Sequence, residues 1–464
     1  MRPLLASAHE AAAVRLVQPA YGAYRIARPG YRAAAAAARA GLRFRRQAAA
    51  WDPERKRAWI LERLRSAVRR AWAETPYYRW VLEEAGLNPL EDFGFDDFAR
   101  LPVLERAAVR EHAGEMILRS APAAELREDA TGGSGGEPTR VWRGPVDRGW
   151  SESGPEHYMR RIGLPPGVST GLLWGHHLDP VASDRWGDRL RAWMEDVRWL
   201  DCLRLSPDAL AAHHARLQGW RPACVVAYAG ALAALAEHVR DHGPPPRYPG
   251  RRFVTGAEKL LPHHRATIET VFGRPVHERY GSRDVGLIGF QTHPERSLDF
   301  EVDWANLLVE PETRGEVASV LVTRLHADGM PMLRYRIGDR ARFPEAARPG
   351  WPAFVLHEVA GRETDRVWLP AGGWVDGLAF PHLMKDHPVR AFQIVQAADF
   401  SVAVRLVPRA GYTGETGERI RALVAANVRG VEVRVQVVDE IAPTRSGKWR
   451  PVLTEAAPAA GTGG

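Results

Sequence analysis

Several short stretches of this chain carry residue types that could do chemistry. The first is Thr131-Gly132-Gly133-Ser134-Gly135-Gly136-Glu137-Pro138, four glycines and two hydroxyls in eight residues. Glycines let successive backbone N–H groups converge on one point, and such a nest holds anions, phosphate above all. No Lys-Ser or Lys-Thr follows the last glycine, so this is not a Walker A loop. Taken alone it fits a flexible surface loop equally well. The second stretch, Tyr280-Gly281-Ser282-Arg283-Asp284, follows an expected strand over 275–279. It offers an aromatic ring to stack on a flat one and an acid for Mg²⁺, or else an ordinary Tyr-Gly turn with a surface acid. In Arg334-Tyr335-Arg336-Ile337-Gly338-Asp339 a strand runs into a turn whose Asp has two acceptor oxygens for a ribose diol. Gly-Asp turns are also common without any ligand. Gly361-Arg362-Glu363-Thr364-Asp365 could be ligand contact and hinge, or a linker salt bridge. Thr444-Arg445-Ser446-Gly447-Lys448 puts a lysine on a polar loop, where it could reach an anionic transition state or remain solvated.

Those stretches need elements to position them. Asp52-Pro53 and Thr75-Pro76 read as helix starts, a capping side chain followed by proline at the first helical position. Ile60, Leu61, Leu64, Val68, Ala71 and Trp72 follow at helical spacing, and Gly86 is a plausible stop. After the glycine stretch the texture becomes α/β: apolar runs at 171–174, 223–227, 252–254, 317–325 and 354–359 read as buried strands, and 232–239 as a helix. Beyond about residue 361, Val402, Val404 and Leu406 alternate with polar or small positions. Val431, Val433, Val435 and Val437 do the same, around an amphipathic helix over 415–428. The expected division is an arm over 1–50, a large domain over 51–361, a small α+β domain over 362–455 carrying the lysine, and a disordered tail over 456–464.

Composition is that of a soluble globular protein, 45% hydrophobic and 26% charged. No apolar run reaches the ~18 residues a membrane span needs. Cys202 and Cys224 form no metal or disulfide pattern, which fits a reducing cytoplasm. The net charge of +8 is concentrated in residues 1–50, which hold nine arginines and one acid. The rest of the chain is balanced, so its body need not bind a polyanion, and no nucleic acid is expected. Lysine is rare: Lys56, Lys259, Lys385 and Lys448 stand against sixty arginines. A lysine kept in a motif is therefore informative, as the compact point charge of the two. The pairs His213-His214 and His263-His264 have no metal-ligand frame and read as surface.

The order of the motifs resembles the acyl-adenylate-forming superfamily of acyl-CoA synthetases, nonribosomal adenylation domains and luciferases. More narrowly it resembles the phenylacetate–CoA ligase family. That family carries a Ser/Thr/Gly phosphate loop, a Tyr-Gly-x-x-Glu segment, an Arg-Tyr-Arg-x-Gly-Asp segment, a Gly-Arg-x-x-Asp hinge and a late Ser-Gly-Lys. The matching residues here are 131–138, 280–284, 334–339, 361–365 and 446–448. The resemblance implies an α/β fold, with a large adenylate-forming domain of sheets flanked by helices and a small mobile C-terminal α+β domain. It implies an AMP-forming reaction in which a carboxylic acid and ATP give acyl-AMP, which is then transferred to a thiol, CoA by default. Thr131, Gly133, Ser134, Gly135 and Gly136 would grip the phosphates. Tyr280 would stack on adenine, with Gly281 and Ser282 beside it. Asp284 would be the Mg²⁺-associated acid. Asp339 would hold the ribose hydroxyls beside Arg362. Lys448 would stabilise charge on the carboxylate and α-phosphate. Asp365 would be the hinge. Thr255-Gly256-Ala257-Glu258 resembles the family's Gly-Glu segment near the nucleotide, so Gly256 and Glu258 join the nucleotide residues. Trp174, Gly175 and His176 are placed at the acyl pocket.

Three residues depart from the family pattern. Glu137 stands where lysine is common, Asp284 is one methylene shorter than the usual Glu, and Arg283 replaces the usual Thr. They motivate the alternative of a weakened member acting as a binding or scaffold protein. An amine acceptor, giving an amide, is the enzymatic alternative. A homodimer stays open, and the acid itself is not legible.

Overall fold

Alanine favours helix more than any other residue, and the Ala/Arg-rich stretch forms α1 (Tyr31–Gln47). Asp52 Oδ1 accepts from Arg55 N at 2.8 Å and starts α2 (Pro53–Glu74). Thr75 Oγ1 accepts from Tyr78 N at 3.2 Å and starts α3 (Pro76–Glu84). Just beyond α3, Gly86 takes the left-handed φ of +65°. A computed structural model of the chain describes residues 31–130, 139–174, 196–202, 205–362, 366–377, 379–384, 387–441 and 450–456.

Helix α1 packs against α4 (Pro145–Arg161). Gly149 allows the close approach, because a Cβ there would lie 2.3 Å from Ala34 O. Arg45 reaches from α1 into the body, with Nε to Asp303 Oδ1 and Nη2 to Asp303 Oδ2, both 2.8 Å, and Nη1 to Ser153 Oγ at 2.6 Å. The paired side chains are 3% and 2% exposed. Beside them Phe44 stacks on Trp59, ring centroids 4.4 Å apart, and Trp150 stacks on His326 at 3.7 Å. The described part of the basic arm is thus packed onto the large domain.

A hairpin of β1 (Arg127–Ala130) and β2 (Arg140–Arg143) flanks the glycine stretch. The main sheet comprises β3 (Thr170–Trp174), β4 (Val197–Asp201), β5 (Cys224–Tyr228), β6 (Arg252–Gly256), β7 (Val276–Ser282), β8 (Gly286–Phe290), β9 (Phe300–Val302) and β13 (Val355–Leu356). Its order is β13-β9-β8-β7-β6-β5-β3-β4. The pairs from β4 through β3, β5 and β6 to β7 are parallel, and the remaining pairs are antiparallel. The parallel half needs crossover helices, and α5 (Pro207–Trp220), α6 (Ala229–His242) and α7 (Pro262–Phe272) supply them. Every residue of β5 is buried, as befits a strand covered on both faces. A second, antiparallel sheet has the order β10-β11-β12-β14, from Leu307–Pro311, Val317–Arg324, Tyr335–Arg342 and Glu358–Arg362.

The C-terminal unit has its own core, including Phe392, Ile394, Val404, Leu406, Ile420 and Val424. It holds the hairpin β15 (Arg366–Trp368)–β16 (Trp374–Asp376), and a sheet of order β19-β18-β17-β20. That sheet is formed by Val433–Val437, Val402–Pro408, Val389–Gln396 and Val452–Thr454. Helix α8 (Gly414–Asn427) packs on it. Arg409 of this unit pairs with Glu237 of α6.

Three local expectations change. The apolar run over 354–359 is not one strand: β13 and β14 join different sheets on either side of His357. Gly338-Asp339 is not a turn but lies inside β12, where Gly338 takes φ +79°. His214 is not at the surface: it is 4% exposed, with Nδ1 2.8 Å from the Tyr248 hydroxyl. No helix among the described residues is long and apolar enough to cross a membrane.

Removing one partner of a buried ion pair strands the other charge, typically at about 3–5 kcal/mol. Arg45→Met is expected to lower the stability of the large domain on that scale in urea unfolding. A change below about 0.5 kcal/mol would mean that this pair does not hold α1 to the body.

Candidate active site

The parallel strands β3, β5, β6 and β7 run in one direction, so Trp174, Tyr228, Gly256 and Tyr280–Ser282 gather at one edge of the sheet. The crevice outside the carboxyl ends of such strands is where open α/β sheets bind ligands. Trp174 and Tyr228 have ring centroids 4.1 Å apart, and the Arg279 guanidinium lies 5.2 Å from the Trp174 ring. Gly256 is required there, since a Cβ would come within 2.8 Å of Arg279 Cγ. Glu258 Oε2 accepts from Gly230 N at 3.0 Å, at the positive N-terminal end of α6. This segment thus uses a side chain to hold the fold, and its backbone lies at the strand ends.

The centre of the site is the Asp339 carboxylate. Tyr280 Oη donates to its Oδ2 at 3.0 Å, and Arg362 Nε sits 2.9 Å from its Oδ1. Asp339 and Arg362 are register partners on β12 and β14, while Tyr280 comes from β7 of the other sheet. Burial, then the neighbouring Asp339 charge, push the Tyr280 phenol well above its usual value, so it stays a donor. Both carboxylate oxygens therefore already hold protein donors, where a turn would have left them open. A carboxylate has about four lone-pair sites, so capacity to accept remains.

Asp284 is 1% exposed and accepts from Tyr335 Oη at 2.7 Å. Burial, then the Asp284 charge, hold the Tyr335 phenol protonated. Asp284 also lies in the field of the buried Arg324, whose Nη1 is 3.0 Å from Asp147 Oδ2. Among the described residues no group of three or more His, Cys, Asp or Glu side chains could hold a metal ion. One carboxylate suits Mg²⁺, which is usually held by one or two carboxylates plus substrate phosphates and waters. Gly281 could not carry a side chain, because its Cβ would lie 2.4 Å from Gly286 O. Ser282 Oγ is buried and has no hydrogen-bond partner among the described residues.

Thr131, Gly133, Ser134, Gly135, Gly136 and Glu137 lie outside the described residues, as do Gly175, His176, Asp365 and Lys448. The base of the glycine stretch is described, and it exposes a residue that motif reading passes over. Arg143, 5% exposed, pairs through Nε with Asp129 Oδ2 at 3.1 Å. It donates to Ser151 Oγ at 2.9 Å and to Arg283 O at 2.8 Å. The hairpin that leads into the glycine stretch is thus tied to the turn before Asp284. Tyr335 was also passed over, yet its signal was present: Tyr335, Ile337 and Asp339 share one strand face at a period of two.

The chain is similar to several known proteins. Residues 367–455 match the CapK C-terminal domain family. Phenylacetate-coenzyme A ligase of Thermus thermophilus is 25% identical over 324 residues, 67% of this chain and 71% of that protein. The Pseudomonas putida protein of the same name is 22% identical over 326 residues, covering 66% and 70%. Protein CapK of Staphylococcus aureus is 20% identical over 250 residues, covering 52% and 53%. Among solved structures, 2-hydroxyisobutyryl-CoA ligase in its postadenylation state with 2-HIB-AMP superposes with a TM-score of 0.68 at 20% identity, over 87% of this chain and 90% of that one.

Two residues before Tyr280, Glu278 is buried, and its Oε1 accepts from Leu260 N at 3.1 Å. Burial pushes its carboxyl up to about 7 from 4.5, against the pull of that hydrogen bond and of Arg265 and Lys259. The native state therefore keeps a proton that the unfolded chain loses above pH 4.5. The contribution of Glu278 to stability is full below that pH, falls as pH rises toward 7, and levels off above it. At about 1.4 kcal/mol per pH unit, the loss is on the order of 3 kcal/mol. Glu278→Gln is expected to flatten this dependence and to raise stability at pH 8, read from urea unfolding at a series of pH values. An unchanged pH profile would show that Glu278 is ionised in the native protein.

Proposed function

We propose that this chain, a relative of the phenylacetate–CoA ligases built on the adenylate-forming fold, is an ATP-dependent, AMP-forming acid–thiol ligase. A carboxylate oxygen of the substrate attacks the α-phosphorus of ATP. The bond to the leaving pyrophosphate breaks, and the acyl group is left on AMP. The thiol of CoA then attacks the acyl carbon, its proton is lost, and AMP departs. The observation that carries this reading is the Asp339 carboxylate, held by Tyr280 and Arg362 at the carboxyl end of β7.

Each described residue has work to do in that reaction. Asp339 accepts from the ribose hydroxyls, and Arg362 holds it in place. The Tyr280 ring borders the adenine, with its hydroxyl anchored so that the ring cannot turn away. Ser282 offers its hydroxyl to the nucleotide. Trp174 and Tyr228 give the acyl side an aromatic wall. Mg²⁺ would neutralise phosphate charge beside Asp284. The glycine stretch over 131–136, held at its base by Arg143, grips the β- and γ-phosphates. Lys448 stabilises the charge that develops between carboxylate and α-phosphate. The small domain turns about Asp365 between the two half-reactions. ATP and CoA as co-substrates make the cytoplasm the compartment in which this reading works.

The test is a panel of aryl, aliphatic and amino acids with ATP and Mg²⁺, read by pyrophosphate release and by hydroxylamine trapping of the acyl-AMP. Turnover with at least one acid is expected, and Lys448→Ala should lower it by ~10²–10³. CoA should consume the acyl-AMP, and so suppress hydroxamate formation, more effectively than a panel of amines. No pyrophosphate from any acid, together with no ATP binding, would contradict the reading.

A further inference from the structure

The opposite edge of the main sheet carries polar atoms that the proposed reaction does not use. Strands β6 and β7 begin at Arg252 and Val276, and β8 ends at Phe290. Arg252, His277 and Thr292 therefore meet at the edge away from Tyr280. His277 and Tyr280 are three residues apart on one strand, roughly 10 Å. Together with Arg161, His293 and Glu295 these residues line a cavity of about 100 Å³. That is several times the room one water needs.

His277 and Thr292 are each 2% exposed. His277 Nδ1 lies 2.9 Å from Gln291 O. A carbonyl oxygen can only accept, so Nδ1 carries the proton and Nε2 is left as a bare acceptor. Neither that Nε2, nor Thr292 Oγ1, nor Arg252 Nε has a hydrogen-bond partner among the described residues. Buried polar groups are nearly always paired, so three unpaired ones among the residues that line one cavity need an explanation. Their demands differ. The Arg252 N–H requires an acceptor, His277 Nε2 requires a donor, and the Thr292 hydroxyl serves as either. Arg161 and Arg252 add positive charge, while Glu295 sits 3.4 Å from His293.

We propose that this cavity is a binding site for inorganic phosphate in a protonated form. The unprotonated oxygens accept from Arg252 and Thr292, and the P–OH donates to His277 Nε2. A ligand carrying both functions on one small tetrahedral anion satisfies all three atoms together.

Sulfate is the decisive control, because it has the shape of phosphate but carries no proton at neutral pH. Titration calorimetry of the full chain at pH 6.5 and constant ionic strength should find one phosphate per chain at this site, held at least tenfold more tightly than sulfate. Binding should be lost in Thr292→Val and in Arg252→Met. It should persist in Ser134→Ala, which alters the glycine stretch instead. The Thr292 hydroxyl has no hydrogen-bond partner among the described residues, so Thr292→Val should unfold at or above the temperature of the unmodified chain in phosphate-free buffer. Equal affinity for sulfate, binding that survives both cavity variants, binding lost only in Ser134→Ala, or no binding would each overturn the proposal. Neither ATP nor an acid takes part, so the outcome is independent of the ligase reading.

Discussion

The Asp339 carboxylate is gripped from two sheets, and the rest of the site depends on that grip. Tyr280 approaches from the eight-stranded sheet and Arg362 from the four-stranded one, within 3.0 Å and 2.9 Å of its two oxygens. A carboxylate that is 7% exposed is tolerated only when it is paired and hydrogen-bonded. The two sheets are therefore locked in relation to each other at this point. Arg362 ends β14, five residues before the C-terminal family match begins, so the same knot stands close to the start of the C-terminal unit.

Arg143 makes a second buried knot of the same kind. Its three partners belong to the strand before the glycine stretch, to α4 and to the turn before Asp284. Holding the ends of any connecting segment lowers the conformational entropy lost when it is ordered. The buried guanidinium holds the strand before the stretch and sets it against the turn that leads to Asp284. Helix α4, which carries Ser151, is itself held by Arg45 and α1, so the basic arm supports the site from behind.

Much of this was legible from residue order. Asp52-Pro53 and Thr75-Pro76 mark helix starts by local chemistry, and local chemistry survives folding. Tyr280, Asp339 and Arg362 stood out because motifs in a fixed order leave few architectures that bring them together. What stayed hidden depends on contacts distant in sequence. Gly338-Asp339 reads as a turn, and only the pairing of β12 with its neighbours shows it to be mid-strand. Arg45 reads as one charge of a basic arm, because its partner Asp303 is 258 residues away. Glu258 reads as a ligand residue, but its carboxylate is bound to the start of α6. The run over 354–359 has the composition of one strand, and no composition shows that two sheets divide it.

The central claim is that Asp339 is the seat of the ribose, and one comparison tests it most directly. The affinity of the full chain for ATP should be measured against that for 2′,3′-dideoxy-ATP by titration calorimetry. Hydrogen bonds to a charged group are worth about 1.5–3 kcal/mol each, so losing both hydroxyls should weaken binding by at least ~10-fold. In Asp339→Asn the difference between the two nucleotides should shrink. Equal affinity for both nucleotides in the unmodified chain would contradict the account.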